Sequence, residues 1–368
     1  MTRLQDLHIE HDQSPWLDNL TRDYLRNGTL QELIAQGIRG VTANPSTFAK
    51  AITGSDAYDL QLRALLSAGG TIDDAYWQLV IDDVSDALEV FGPLHEESRG
   101  TDGFVSLEVA PGLAGDTNAT IGAARKFHQR INQPNLMVKI PATDAGIPAI
   151  RAMTAEGRNI NITLIFSLAR YEQVIEAYMS GLEELVKAGG DPSPVHSVAS
   201  FFVSRVDTEV DRRLEAIGTP EATALRGLAA VSQAKLAYRL FRHRFSGERW
   251  ERLAALGARL QRPLWASTST KNPAYPDTLY VDSLIGPDTV NTLTEATIAA
   301  FEDHGTVAQT VDAGIADARF VLKALGRVGV DMAAVGRTLE DEGVASFQKS
   351  FDHVLAALAT KGRGRAAA

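Results

Sequence analysis

Short apolar or β-branched runs recur along the chain, each followed by a turn and then by a stretch with helical spacing. The runs are SPWLDNL (14–20), RGVTANP (39–45), GFVSLEV (103–109), NLMVKIP (135–141), INITLIF (160–166), SVASFFV (197–203), RPLWAST (262–268) and TLYVDSL (278–284). Most are separated by amphipathic segments such as DDAYWQLVIDDVSDALEVF (73–91) and RYEQVIEAYMSGLEELVKAG (170–189). For the latter, Ser167 is the expected N-cap and Gly189 the C-terminal stop. Strand–helix alternation predicts parallel pairing. About eight such units predict a single (β/α)8 TIM barrel, with strands nearly all apolar because both faces are covered. An open doubly wound sheet is the alternative, but no GxGxxG or GxxxxGK[ST] follows the first run. The segment 221–261 is long for one spacer and predicts an extra helical insertion, while the first residues form an N-terminal extension. The expected organisation is one barrel domain over 1–360 and a flexible tail over 361–368.

Composition narrows the class of function. Of 368 residues, 45% are apolar and 22% charged, which is ordinary for a globular chain. The formal net charge of -10 argues against a nucleic-acid surface, yet leaves room for a local basic pocket that takes small anions. The absence of cysteine excludes disulfides, thiolate metal sites and a cysteine nucleophile. No apolar run reaches the roughly 18 residues of a membrane span, so no membrane partner is expected. The polar start MTRLQDLHIEHDQ lacks the apolar stretch of a signal peptide, so a cytoplasmic location is expected. His8 and His11, the only close histidine pair, read as part of a solvated tail, and neither a metal nor a cofactor is expected.

Barrel enzymes carry their chemistry where strands end in the βα loops. At those ends the runs offer Asp18, Asn44, Glu108, Lys139, then Asn161 with Thr163, Ser200 with Arg205, and Ser267 with Lys271. The eighth run offers Asp282, which is set aside. Lys139 interrupts an otherwise apolar run, LMVKIP. Burial and neighbouring cations such as Arg205 favour a neutral amine, which attacks a ketone to form a Schiff base. The iminium then accepts electrons, so a C–C bond beyond the carbonyl breaks without a metal, and Asp18 and Glu108 are available to move protons. Each position also has a plain structural reading. Lys139 reads as an edge gatekeeper, a snorkelling side chain or the partner of Glu108 in a buried ion pair. Asp18 reads as a cap, Asn44-Pro45 as a turn, and Arg205 as a surface ion-pair residue. No single position is specific; their combination is.

Two stretches, GVTANPSTF (40–48) and LMVKIPATDAGIPAI (136–150), resemble the second-strand and Schiff-base motifs of the transaldolase family. NINITLIFS (159–167) and SFFVSR (200–205) resemble two further family segments in the same order, so the likeness covers most of the chain. The resemblance implies a class I aldolase barrel that moves a dihydroxyacetone unit from sedoheptulose 7-phosphate to glyceraldehyde 3-phosphate, giving erythrose 4-phosphate and fructose 6-phosphate. It implies Lys139 as the Schiff-base nucleophile and Asp18 as the proton carrier for the C4 hydroxyl. Glu108 and Thr163 would position a water. Asn44 and Asn161 would hold substrate hydroxyls, with Ser200 close by and Phe202 as a wall. Arg205, Ser267 and Lys271 would hold phosphate. Sugar phosphates are then the partners, and a homodimer and a monomer both remain open.

The chain departs from the family pattern at Ala43, Ala110 and Phe201, and in ASTSTKN (266–272). That run is two residues longer than usual and has Lys271 where an arginine is common. A fructose 6-phosphate aldolase is the near alternative. That branch tends to carry Gln and Tyr at the places of Glu108 and Phe202, so both positions favour transfer. A deoxyribose-phosphate aldolase and a non-catalytic sugar-phosphate-binding barrel are the remaining readings.

Overall fold

Parallel strands that are apolar on both faces need cover on both, and this chain provides it by closing the sheet on itself. In the computed structural model, which describes residues 1–363, the strands are β1 (Gln13–Leu17), β2 (Gly40–Thr42), β3 (Phe104–Glu108), β4 (Leu136–Pro141), β5 (Ile160–Ile165), β6 (Ser197–Phe202), β7 (Gln261–Ala266) and β8 (Thr289–Leu293). They form a closed barrel in sequential order, with β1 paired to β8. Helices cover the outside, and almost every strand residue is buried. No helix among the described residues is long and apolar enough to cross a membrane.

The eighth strand is not where the apolar run placed it. Leu279–Asp282 forms a single helical turn, with Thr278 Oγ1 donating to Asp282 Oδ2 at 2.8 Å. The true β8 reads TVNTL, and its polar Thr289, Asn291 and Thr292 hide it from a search for apolar runs. These polar groups are buried; Thr268 Oγ1, for example, donates to Asn291 Oδ1 at 2.9 Å.

The expected helical insertion lies between β6 and β7 as helices Ser204–Ile217, Pro220–Thr223, Ala229–Arg244 and Glu248–Ala255. The N-terminal extension is also ordered. Thr2 and Gln5 form a capping box for helix Arg3–His11, which buries Leu4 and Leu7 fully. His8 is therefore half-buried rather than part of a solvated tail, and burial followed by Arg39 lowers its pKa. At the other end, helix Met332–Arg363 runs through residue 363. Lys361 Nζ donates to Ser55 O at 2.8 Å and Asp59 Oδ1 at 3.0 Å. Residues 364–368 of the expected tail lie outside the described residues.

This last helix reaches the mouth of the barrel because Gly343 lets it. A Cβ there would come within 2.9 Å of Leu164 Cδ2. Leu164 has φ +59° where β5 shifts register between Ile162 and Ile165, a bulge of the kind found near functional sites. The opposite end of the barrel is tied by one carboxylate. Asp102 pairs with Arg39 at 2.5 Å and Arg262 at 3.2 Å, and accepts from Ser14 Oγ at 3.0 Å. Burial alone would raise the pKa of Asp102, but Arg262 and Arg39 together hold it below the usual carboxylate value.

Because Asp102 joins residues from β1, β7 and the approaches to β2 and β3, its removal leaves two half-buried guanidiniums unpaired. Asp102→Ala is expected to lose about 3 kcal/mol of stability in urea unfolding at neutral pH. A loss well under about 1 kcal/mol would mean that solvent replaces the carboxylate.

Candidate active site

Neighbouring parallel strands in register point paired residues the same way. Glu108 of β3 stands opposite Lys139 of β4, which stands opposite Asn161 of β5. Lys139 Nζ lies 3.3 Å from Glu108 Oε2, with the two side chains only 6% and 4% exposed. The buried ion pair weighed as an alternative for Lys139 is therefore present, and Glu108, not Arg205, is the charge in contact with the amine. Asn161 Nδ2 donates to Ser106 Oγ at 3.0 Å, and its Oδ1 accepts from Ser200 Oγ at 2.7 Å, so its amide is fixed from both sides.

The ion pair is not self-contained. Thr163 Oγ1 is buried with no hydrogen-bond partner among the described residues, and Glu108 Oε2 has only its contact with Lys139 Nζ. Oxygens of this kind cost about 1–3 kcal/mol each when left unsatisfied. The Thr163 hydroxyl, and the lone pairs of Glu108 that Lys139 does not use, are placed to take a water or a substrate hydroxyl.

Asp18 follows the end of β1. Its N–H donates to Leu293 O at 2.8 Å, and its Oδ1 accepts from Thr42 Oγ1 at 3.2 Å. Burial pushes the pKa of Asp18 up, against the pull of Lys139 and the Thr42 hydroxyl. Burial also raises Glu108, again opposed by Lys139, and the nearby Asp18 charge adds to the rise. Two carboxyls that burial holds nearer to the neutral form suit proton transfer.

Above the amine opens a cavity of about 600 Å³. Asp18, Lys139, Thr163, Asn44, Ser200, Phe202, Arg205, Ser267 and Lys271 all line it. Glu108 and Asn161 do not; they flank Lys139 at its base. Asn44 keeps its turn role as well. Its Oδ1 caps helix Pro45–Gly54 by accepting from Ser46 N at 2.9 Å and Thr47 N at 3.1 Å, which leaves its NH2 group for the cavity.

The cationic side of the mouth is built from two elements. Arg205, at the start of helix Ser204–Ile217, holds its guanidinium carbon 5.3 Å from the centre of the Phe202 ring. Ser267, at φ +58°, places its Oγ 3.0 Å from Ser204 Oγ. Lys271 is exposed at the rim, and burial of its stem and the charge of Arg205 both lower its pKa. Burial lowers Arg205 too, while Asp18 raises it. Like charges gathered at one rim invite an anion.

Sequence reasoning missed three contributors. Ser106, which holds Asn161, lies two residues before Glu108 on the same face, so the period of two pointed to it. Thr42, which holds Asp18, was quoted in its motif without a role. Phe347 lines the cavity from the C-terminal helix, and no local pattern marks it.

Residues 15–358 match the family model described as Transaldolase/Fructose-6-phosphate aldolase. A protein of Parafrankia sp. (strain EAN1pec) named Transaldolase is 52% identical over 342 residues, covering 92% of this chain and 93% of its own. A Transaldolase of Thermobifida fusca (strain YX) is likewise 52% identical over 342 residues, with the same coverage. A Transaldolase of Mycolicibacterium smegmatis is 49% identical over 344 residues, covering 93% of each chain.

The raised pKa of Asp18 has a stability consequence with a definite sign. A carboxyl that titrates higher folded than unfolded costs stability in full above its folded pKa and nothing below its unfolded one. Asp18→Asn is therefore expected to be more stable than the parent near pH 8, the gain shrinking as pH falls through the carboxylate range. Urea unfolding at several pH values reads this; a gain that does not change with pH would contradict it.

Proposed function

Because this chain belongs to the transaldolase/fructose-6-phosphate aldolase family, we propose that it is a transaldolase of the cytoplasmic non-oxidative pentose phosphate pathway. It passes a dihydroxyacetone unit from sedoheptulose 7-phosphate to glyceraldehyde 3-phosphate, yielding erythrose 4-phosphate and fructose 6-phosphate. The observation that carries the reading is the buried amine of Lys139, 3.3 Å from Glu108 Oε2, at the base of a cavity that Asp18 also lines.

The Lys139 amine attacks the donor ketone, and loss of water gives an iminium. A water held by the Glu108 carboxylate and the unpartnered Thr163 Oγ1 relays protons as the carbinolamine forms and dehydrates. Asp18 takes the proton of the C4 hydroxyl. The C3–C4 bond breaks, its electrons flow into the iminium, and an aldehyde leaves. The three-carbon enamine stays on Lys139, adds to the carbonyl carbon of the acceptor, and Asp18 returns the proton to the new hydroxyl. Water then releases the product ketose. Asn44 holds hydroxyls of the three-carbon unit, and Asn161 orients the base of the site beside Lys139 through Ser106 and Ser200. Ser200 and Phe202 bound the unit, and Arg205, Ser267 and Lys271 hold the phosphate at the rim.

Reduction with borohydride in the presence of fructose 6-phosphate is expected to add a three-carbon unit to the protein, mapped to Lys139. Lys139→Ala should fold, lose the adduct and lose at least about a thousandfold in turnover. Wild-type turnover in that variant would remove the Schiff base from the mechanism. Fructose 6-phosphate consumed without an acceptor would select the aldolase branch, and tight sugar-phosphate binding with no adduct would select a non-catalytic barrel.

A further inference from the structure

The run after β7 carries Lys271 and is anchored at a second place beside the site. Lys271 lines the main cavity and also a second one of about 190 Å³, shared with Asp207, Asp211, Tyr275 and Tyr280. In this second cavity the loop is bolted to helix Ser204–Ile217. Tyr275 Oη donates to Asp211 Oδ2 at 2.6 Å, and Tyr280 Oη donates to Asp207 Oδ2 at 2.9 Å. Asp207 and Asp211 are 2% and 7% exposed; the bond to Asp207 is buried, and the one to Asp211 is partly shielded because Tyr275 is half-buried. Gly227 completes the seat. Its N–H donates to Asp211 Oδ1 at 2.9 Å, and at φ +72° it has no Cβ, which would otherwise come within 2.7 Å of Tyr275 Cζ.

The same helix carries Arg205, the other cation of the rim. The loop itself is stiff between Lys271 and Tyr275. Asn272 Oδ1 accepts from Ala274 N at 3.0 Å, Tyr275 N donates to Asn272 O at 3.1 Å, and Pro273 and Pro276 restrict the backbone. Displacing the phenol therefore displaces the lysine four residues before it.

We propose that Tyr275 is a positioning residue of the phosphate clamp: docked on Asp211 and Gly227, it fixes Lys271 relative to Arg205 and so sets the preference for phosphorylated sugars. This inference rests on the transaldolase reading of the main site. Tyr275 touches no reacting atom, so its loss should act on binding of the phosphate and leave the amine chemistry alone.

The test is Tyr275→Phe, with thermal unfolding to confirm folding. The KM for fructose 6-phosphate is expected to rise roughly 3- to 10-fold with kcat held, the scale of one ordinary hydrogen bond. Borohydride trapping of unphosphorylated dihydroxyacetone on Lys139 should be unchanged. Lys271→Met should raise the same KM at least as much, and combining the two substitutions should add little to it. Gly227→Ala crowds the same ring from its other side and should reproduce the rise. An unchanged KM in Tyr275→Phe, an equal weakening with the unphosphorylated ligand, or effects of Tyr275→Phe and Lys271→Met that multiply would each overturn the assignment. If the parent traps no adduct at all, the transaldolase reading fails instead. Calorimetric binding of inorganic phosphate to parent and variant then still decides the latch, because a weakened phosphate affinity supports it and an unchanged one refutes it.

Discussion

An ammonium and a carboxylate held side by side in a dry interior are the constraint around which this barrel is organised. Removing either partner takes away the contact that offsets the burial of the other, and a Glu108 left alone is pushed by burial toward its neutral form. Their contact follows from strand register: residue 108 of β3 faces residue 139 of β4, and a slip of one residue would turn either side chain to the other face of the sheet. The hydrogen bonds from Ser106 and Ser200 to Asn161 extend the same register to β5 and β6. Chemistry and strand pairing thus depend on each other, and the polar layer inside the barrel works as a registry device as well as a site.

Around this fixed base the mouth is assembled from parts of different character. The carboxyls of Asp18 and Glu108 and the unpartnered hydroxyl of Thr163 lie close to the amine on strands or at their ends. The cations lie farther out, one on a helix and one on a loop. The groups nearest the amine are held by the most rigid elements. Groups that only hold a charged tail are held by elements that tolerate longer insertions.

Much of this was legible in the sequence because the period of two and the apolar runs fix which strand residues face inward. Lys139 stood out as the one charge in LMVKIP, and the ends of six runs led to side chains lining one cavity, with a further run leading to Glu108 beside the amine. The eighth strand was not legible, because the inside of this barrel is partly polar and TVNTL looks like a loop when apolar runs are the signal. The single turn at Leu279–Asp282 looked like a strand for the converse reason, since it packs Tyr280 and Val281 into the core. Phe347 and the bolt between Tyr275 and Asp211 join residues far apart in the chain, and no local pattern encodes such a contact.

The seam where β1 meets β8 gives the site a temporal order during folding. Asp18 is held in place by a backbone bond to Leu293, across one of the longest sequence separations in the chain. Contacts of that range are the slowest to form, because their loop-closure entropy is met last. A partly zipped barrel with β3, β4 and β5 paired already contains the amine and its carboxylate neighbour, yet it lacks the second acid. The complete set of charged side chains around the cavity therefore arrives with topological closure, and a half-formed chain holds the amine and its neighbour with the cavity's other wall missing.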